Sequence, residues 1–152
     1  MPDPDDAPLL LDAMLGRLAR LLRMCGYDAA YALDRGVEDD DDLRGIAVRE
    51  GRTLLTRDRA LAARTPGSVL LRSRDVDHQV DELREAGFAL TLPDEPVRCA
   101  SCNGRLERAD GPHPEYVTDG VSAVWACESC GQRYWTGSHW EDVRRRLAGT
   151  EE

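Results

Sequence analysis

Short apolar runs and helical periodicities alternate from residue 8 to residue 92. Leu9-Leu10-Leu11 is an apolar run closed by Asp12. Met14, Leu15, Leu18, Leu21, Leu22 and Cys25 then recur at the spacing of one helix face, with Gly26 as the stop. Ala29–Ala32 is a weaker strand candidate, and the acids Asp39 to Asp42 open a helix through Leu43, Ile46 and Ala47 that stops at Gly51. Thr53-Leu54-Leu55-Thr56 predicts a short strand, and Asp58 caps a helix over Arg59–Arg64. Val69-Leu70-Leu71 predicts another strand, with Asp75 or Asp77 capping a helix through Val80 and Leu83 to Gly87. Phe88–Leu92 predicts a fifth strand. Strands separated by helices imply an α/β fold with a parallel sheet flanked by helices and right-handed crossovers.

The pattern changes after Pro93-Asp94-Glu95-Pro96, which reads as a linker. The organisation predicted is an α/β domain over residues 8–92, a cysteine unit over 97–141 and a charged tail over 142–152. Residues 97–152 hold four of the five cysteines and five of the eight aromatic residues. Cys99, Cys102, Cys127 and Cys130 form two C-x-x-C pairs separated by twenty-four residues. Each pair sets two thiolates on a tight turn, and Gly104 and Gly131 permit the positive φ angles such turns use. Four sulfurs leave no open coordination position, so the set predicts a structural ion in a small C-terminal ribbon, Zn²⁺ ahead of iron. A redox role suits one such pair and is disfavoured by two at this spacing. A unit of this size builds little core, so the metal supplies much of its folding energy. Its crowded aromatics, Tyr116, Trp125, Tyr134, Trp135 and Trp140, suit either a platform for unpaired bases or the ribbon's own core. Cys25, on the apolar face of the first helix, reads as a buried small hydrophobe.

Charge narrows the choice of chemistry. The chain carries 29 acids against 20 bases, a formal charge of −9, and every base is arginine. Without lysine there is no P-loop lysine, Schiff-base lysine or receiver-type lysine. Residues 1–96 carry a net −7 and residues 97–152 a net −2, so any grip on nucleic acid is local rather than spread over a basic surface. No apolar run approaches the roughly 18–20 residues of a membrane span, and the opening residues are acidic, unlike a targeting segment. No membrane association and a cytoplasmic location are expected.

Asp12, the Asp39–Asp42 cluster, Asp58 and Asp75 each fall at a strand-to-helix junction. In an open parallel sheet those junctions share the carboxyl edge, where ligands bind. Converging carboxylates suit Mg²⁺ or Mn²⁺, hard cations that serve phosphodiester hydrolysis. Taken singly, each aspartate is also a favoured helix cap. Arginines flank the junctions, and Arg17 and Arg57 stand nearest to Asp12 and Asp58 in sequence. Guanidinium binds phosphate bidentately, although salt bridging to neighbouring acids is its commoner role. Arg144-Arg145-Arg146 reads as a solvated helix end.

Several stretches carry a resemblance. Leu11-Asp12-Ala13-Met14-Leu15-Gly16-Arg17-Leu18-Ala19-Arg20, Leu54-Leu55-Thr56-Arg57-Asp58-Arg59, Leu70-Leu71-Arg72-Ser73, Cys99-x-x-Cys102-Asn103-Gly104 and Tyr134-Trp135-x-Gly137-Ser138-His139-Trp140 resemble the Mut-seven C-terminal RNase family, from Leu9 to about Trp140. The resemblance implies a PIN-like α/β fold with a C-terminal zinc ribbon and a Mg²⁺- or Mn²⁺-dependent ribonuclease, with RNA as its partner. Asp12 and Asp58 match the acidic positions; the helix-opening acid falls at Asp40 or Asp41, and the last at Asp75. Arg74 stands where relatives often carry a second acid. Arg17, Arg20, Arg57, His139 and Trp140 are the substrate-binding candidates. An inhibitory or ribosomal protein partner is left open. The competing reading is a non-catalytic RNA- or protein-binding zinc-ribbon adaptor whose aspartates only cap helices. An aspartyl-nucleophile phosphatase fits poorly, since Met14 stands two residues after Asp12.

Overall fold

In the computed structural model, which describes residues 8–149, the leucine run forms β1 (Leu9–Leu11) inside a four-stranded sheet. Its neighbours are β2 (Ala29–Tyr31), β3 (Thr53–Thr56) and β4 (Val69–Leu70), in the order β2-β1-β3-β4 with every pairing parallel. A central strand covered on both faces must be apolar at successive positions, which explains three leucines in a row. Leu9 and Leu11 enter one core with Leu15, Leu18 and Leu22 of α1 (Gly16–Met24) and Val80 and Leu83 of α4 (Val76–Glu85). Leu10 and Leu54 enter the other, beneath Leu43 and Ile46 of α2 (Asp40–Glu50) and Leu61 of α3 (Arg59–Arg64). Each fully buried leucine contributes roughly 1.5–3 kcal/mol before the entropy cost of ordering it.

Helix boundaries follow local chemistry. Asp39, Asp58 and Asp75 are the N-caps of α2, α3 and α4, each accepting hydrogen bonds from backbone N–H groups of the first turn. Gly51, at φ +64°, closes α2 in the left-handed conformation. Phe88–Leu92 is not a strand. Phe88, Leu90 and Leu92 are buried in the first core, while the Ala89 carbonyl accepts the Tyr27 hydroxyl and the Leu90 carbonyl accepts Arg84 Nη2. Side chains satisfy this stretch's carbonyls, so it lies along the core without joining the sheet.

The cysteine unit is an antiparallel sheet of β5 (Leu106–Ala109), β6 (Val124–Cys127) and β7 (Arg133–Tyr134), in the order β5-β6-β7. The chain then returns as α5 (Ser138–Gly149), which buries Trp140 and Leu147 in the same core as α1 and α4. The sequence-predicted tail 142–152 therefore begins inside this helix. Its last residues, 150–152, and the acidic start Met1–Asp6 lie outside the described residues. Among the described residues no helix is long and apolar enough to cross a membrane.

Candidate active site and metal centre

The order β2-β1-β3-β4 means that the chain leaves β1 for one neighbour and later returns to the other. The crevice beyond the carboxyl ends of β1 and β3 is thus the topological switch point of the sheet. Asp12 follows β1 there directly and is only 8% exposed. Its Oδ2 accepts the Thr56 hydroxyl at 2.7 Å, and its Oδ1 accepts the Ala13 N–H at 2.7 Å. Thr56 Oγ1 in turn accepts the Asp58 N–H at 3.0 Å, so one buried hydroxyl ties the ends of both strands together. Among the described residues no arginine or histidine pairs with Asp12. A carboxylate this buried without a counter-charge is costly, and it favours a cation in the crevice.

Two further acids share that field. Asp40, at the start of α2, has its carboxyl pushed up first by loss of solvent and then by the charges of Asp58 and Asp12, with Arg64 pulling the other way. Arg64 Nη2 lies 3.8 Å from Asp40 and its Nη1 lies 3.6 Å from Asp41. Within the run Asp39–Asp42 the side chains divide their roles. Asp39 caps, Asp41 projects into solvent toward Arg64, and Asp40 feels Asp12 and Asp58. Asp58 spends Oδ1 on the N–H groups of Ala60 and Leu61. Asp75 is separate: it caps α4 and lies 3.4 Å from His78 Nδ1. The donor set of Asp12, Asp40 and Asp58 is all hard oxygen, which fits Mg²⁺ or Mn²⁺. Among the described residues, the cysteines are the one set of three or more potential ligands whose donor atoms all lie within 4.8 Å of one another, and the three carboxylates do not form such a set.

Sequence reasoning did not single out Thr56, Arg64 or Tyr31 for this site. Tyr31, at the end of β2, donates to the Ala13 carbonyl at 2.5 Å, and burial followed by the charges of Asp34 and Asp12 raises its pKa. A Cβ at Gly16 would stand 3.0 Å from the Tyr31 hydroxyl, so the glycine is what admits that ring over the start of α1. Thr56 had a signal, a polar residue ending an otherwise apolar strand one step from an Arg-Asp pair. Arg17 and Arg20 project from the exposed face of α1. Arg57 Nη1 reaches Met14 Sδ at 3.9 Å, while its Nε is buried without an acceptor.

The cysteines make a different centre. Cys99 and Cys130 Sγ atoms are 3.7 Å apart, and those of Cys102 and Cys127 are 3.5 Å apart. A tetrahedron with Zn–S bonds of ~2.3 Å has edges of about 3.8 Å, so the four thiols fit one Zn²⁺. Burial works against ionisation of Cys127, but the N–H groups of Cys130 and Ser129 aimed at its sulfur outweigh it and bring the thiol down to about 7. Positive φ belongs to Asn103 (73°) in the first knuckle and to Gly131 (80°) in the second. Gly104 serves another purpose than the one expected: a Cβ there would lie 2.6 Å from Cys127 Sγ, inside the sulfur cradle. The Tyr134 hydroxyl lies 3.0 Å from Cys99 Sγ. Trp125 is buried in the ribbon, where Trp135 stacks on Tyr116 with ring centroids 6.4 Å apart, whereas Trp140, expected to touch substrate, is buried in the core beneath α1 and α4.

A parallel α/β domain with an acidic strand edge, joined to a four-cysteine ribbon that can hold zinc, defines the class. The chain belongs to the Mut7-C RNAse domain family, whose model matches residues 7–147 and so spans both the sheet and the ribbon. It is a ribonuclease-like domain by that membership. No curated protein and no solved structure matches the chain.

Proposed function

We propose that this protein is a Mg²⁺- or Mn²⁺-dependent ribonuclease that hydrolyses RNA phosphodiester bonds at the crevice beyond β1 and β3. The observation that carries the reading is Asp12, a buried carboxylate at the switch point with no cationic partner among the described residues. Asp12, Asp40 and Asp58 would hold the ion, with Asp41 at the solvent rim and Asp75 capping the adjacent helix. When bound, such an ion supplies charge against the phosphoryl oxygens and eases deprotonation of the attacking water. Arg17 and Arg57, the arginines nearest Asp12 and Asp58 in sequence, orient the RNA backbone by bidentate contacts to phosphate. Thr56 is a positioning residue: its hydroxyl fixes the Asp12 carboxylate and receives the Asp58 N–H.

The test is direct. Zinc-loaded protein supplied with Mn²⁺ cuts RNA, and calorimetry registers Mn²⁺ binding beyond the zinc. The adaptor reading draws on the caps, because Asp39, Asp58 and Asp75 all do structural work. RNA binding with neither Mn²⁺ uptake nor cleavage would establish that reading instead. Thr56→Val keeps the side chain's shape and removes its hydroxyl. Its Mn²⁺ affinity should fall by about tenfold or more, the usual cost of losing a group that orients a ligand. An unchanged calorimetric affinity would reduce Thr56 to packing.

A further inference from the structure

Between α1, the ribbon and α5 lies a groove of about 440 Å³, within the range of small-molecule sites. Its walls carry the guanidinium groups of Arg20, Arg98 and Arg133, the imidazole of His139 and the rings of Tyr134 and Trp135, and no carboxylate lines it. In a chain with 29 acids against 20 bases, a concavity free of acid is a local reversal of sign. Arg20 is exposed and has no hydrogen bond or ion pair among the described residues. Arg98 uses Nη1 on the Asn103 carbonyl, and Arg133 uses Nη1 on that of Gly131, which leaves both with donors to spare.

The groove also continues along α1. A second depression of about 300 Å³ shares Arg20, Met24 and His139 with it and adds Arg17 and Arg146, the latter paired with the one acid there, Asp77. Arg17 and Arg20 stand three residues apart on one face of α1, and α1 starts four residues after Asp12. Arg17 and Arg20 therefore lead along α1 from its end nearest Asp12 in the chain to the aromatic rings of the groove.

We propose that this groove is a non-catalytic subsite for single-stranded RNA, holding an unpaired nucleotide a short way along the strand from the bond at the acidic edge. Arg20 and Arg133 would engage phosphates, and a base would stack on the exposed part of Trp135. Guanidinium with aromatic rings is the chemistry of unpaired nucleotides, whereas an acidic peptide would need the charges and leave the rings unused. The inference rests on the reading of the chain as an RNA-acting protein, so its test measures binding separately from cleavage.

The experiment uses the full zinc-loaded chain carrying Asp12→Asn, to suppress turnover, and a short fluorescein-labelled oligouridylate read by anisotropy. Adding Arg20→Glu should weaken binding at least tenfold and reduce the salt slope by about 0.7 for each phosphate that is no longer neutralised. Adding Trp135→Ala should weaken it by about tenfold, because the base has no ring to stack on. Arg20 lies on the solvent face of a helix, so its variant keeps the fold even where the Trp135 change disturbs the ribbon. If the parent binds RNA and both variants bind equally well, the subsite is wrong while the ribonuclease reading stands. If the parent binds no RNA, both fail. Displacement of the oligonucleotide by oligoglutamate at equal charge would assign the groove to an acidic peptide and overturn the proposal.

Discussion

Asp12→Asn should abolish Mn²⁺ binding at the sheet edge and lower RNA cleavage by about 10³-fold or more, the scale of several kcal/mol of lost charge stabilisation. The change removes one negative charge and almost no volume. In the metal-free protein it should not destabilise the fold. Asp12 is buried, its two oxygens are spent on Thr56 and the Ala13 N–H, and no cation compensates it among the described residues. A neutral amide keeps the bond from Thr56 and removes the burial of an unpaired charge, against one poor approach between its NH₂ and the Ala13 N–H. Thermal unfolding without divalent ions should therefore leave the variant level with the parent, while added Mn²⁺ raises the parent's midpoint alone. Activity equal to the parent's would sink the assignment of Asp12. A large loss of stability without metal would instead make Asp12 a structural residue, and any lost activity would then say nothing about chemistry.

Asp58→Asn separates the two duties that aspartate performs at these junctions. Asparagine is as good an N-cap, so Ala60 and Leu61 keep their acceptor while the charge disappears. This overlap explains what could be read from the sequence and what could not. The caps were legible because an aspartate before a helix has one dominant local use, and Asp39, Asp58 and Asp75 all follow it. Which acids also face the crevice was not legible, because that depends on strand order. A sheet ordered β2-β1-β3-β4 sets the junctions after β1 and β3 side by side, and neighbouring letters in the chain do not encode this. Within the acidic run, the register of α2 alone sends Asp40 toward Asp12 and Asp41 toward solvent. The apolar alternation of Phe88–Leu92 signalled burial correctly and ladder pairing wrongly, since the Ala89 carbonyl is taken by distant Tyr27 and that of Leu90 by nearby Arg84. Cysteine spacing was legible to the level of one four-thiol cluster able to hold a metal. The task of Gly104 was not, because it is set by Cys127 on the other knuckle.

Removing zinc should disturb the parallel sheet as well as the ribbon. The first knuckle is docked on the edge strand β2. Asn103 Oδ1 accepts the Ala29 N–H at 2.9 Å, and its Nδ2 donates to Asp28 Oδ1 at 2.7 Å. Burial alone would raise the Asp28 carboxyl, but hydrogen bonds from Arg52 and then Asn103 hold it below its ordinary value. Arg23, only 2% exposed, ties the same face together by donating to the carbonyls of Ala29 and Ala100 and pairing with Asp34 at 3.0 Å. An exposed strand edge needs cover, and here the first cysteine knuckle supplies it. Cys127→Ser, or a chelator selective for zinc, should unfold the ribbon and also expose the Ala29 amide to hydrogen exchange. Asn103→Ala should separate the two effects. Zinc content stays near one per chain, yet the Ala29 amide loses protection and stability falls by about 1–3 kcal/mol, because a buried N–H and part of the Asp28 carboxylate lose their partner. Full protection of Ala29 in the zinc-free protein would show that the ribbon rides on the sheet without bracing it. Zinc content falling together with Ala29 protection in Asn103→Ala would show that metal and sheet edge fold as one unit, the arrangement expected when a ribbon too small for its own core borrows a strand edge.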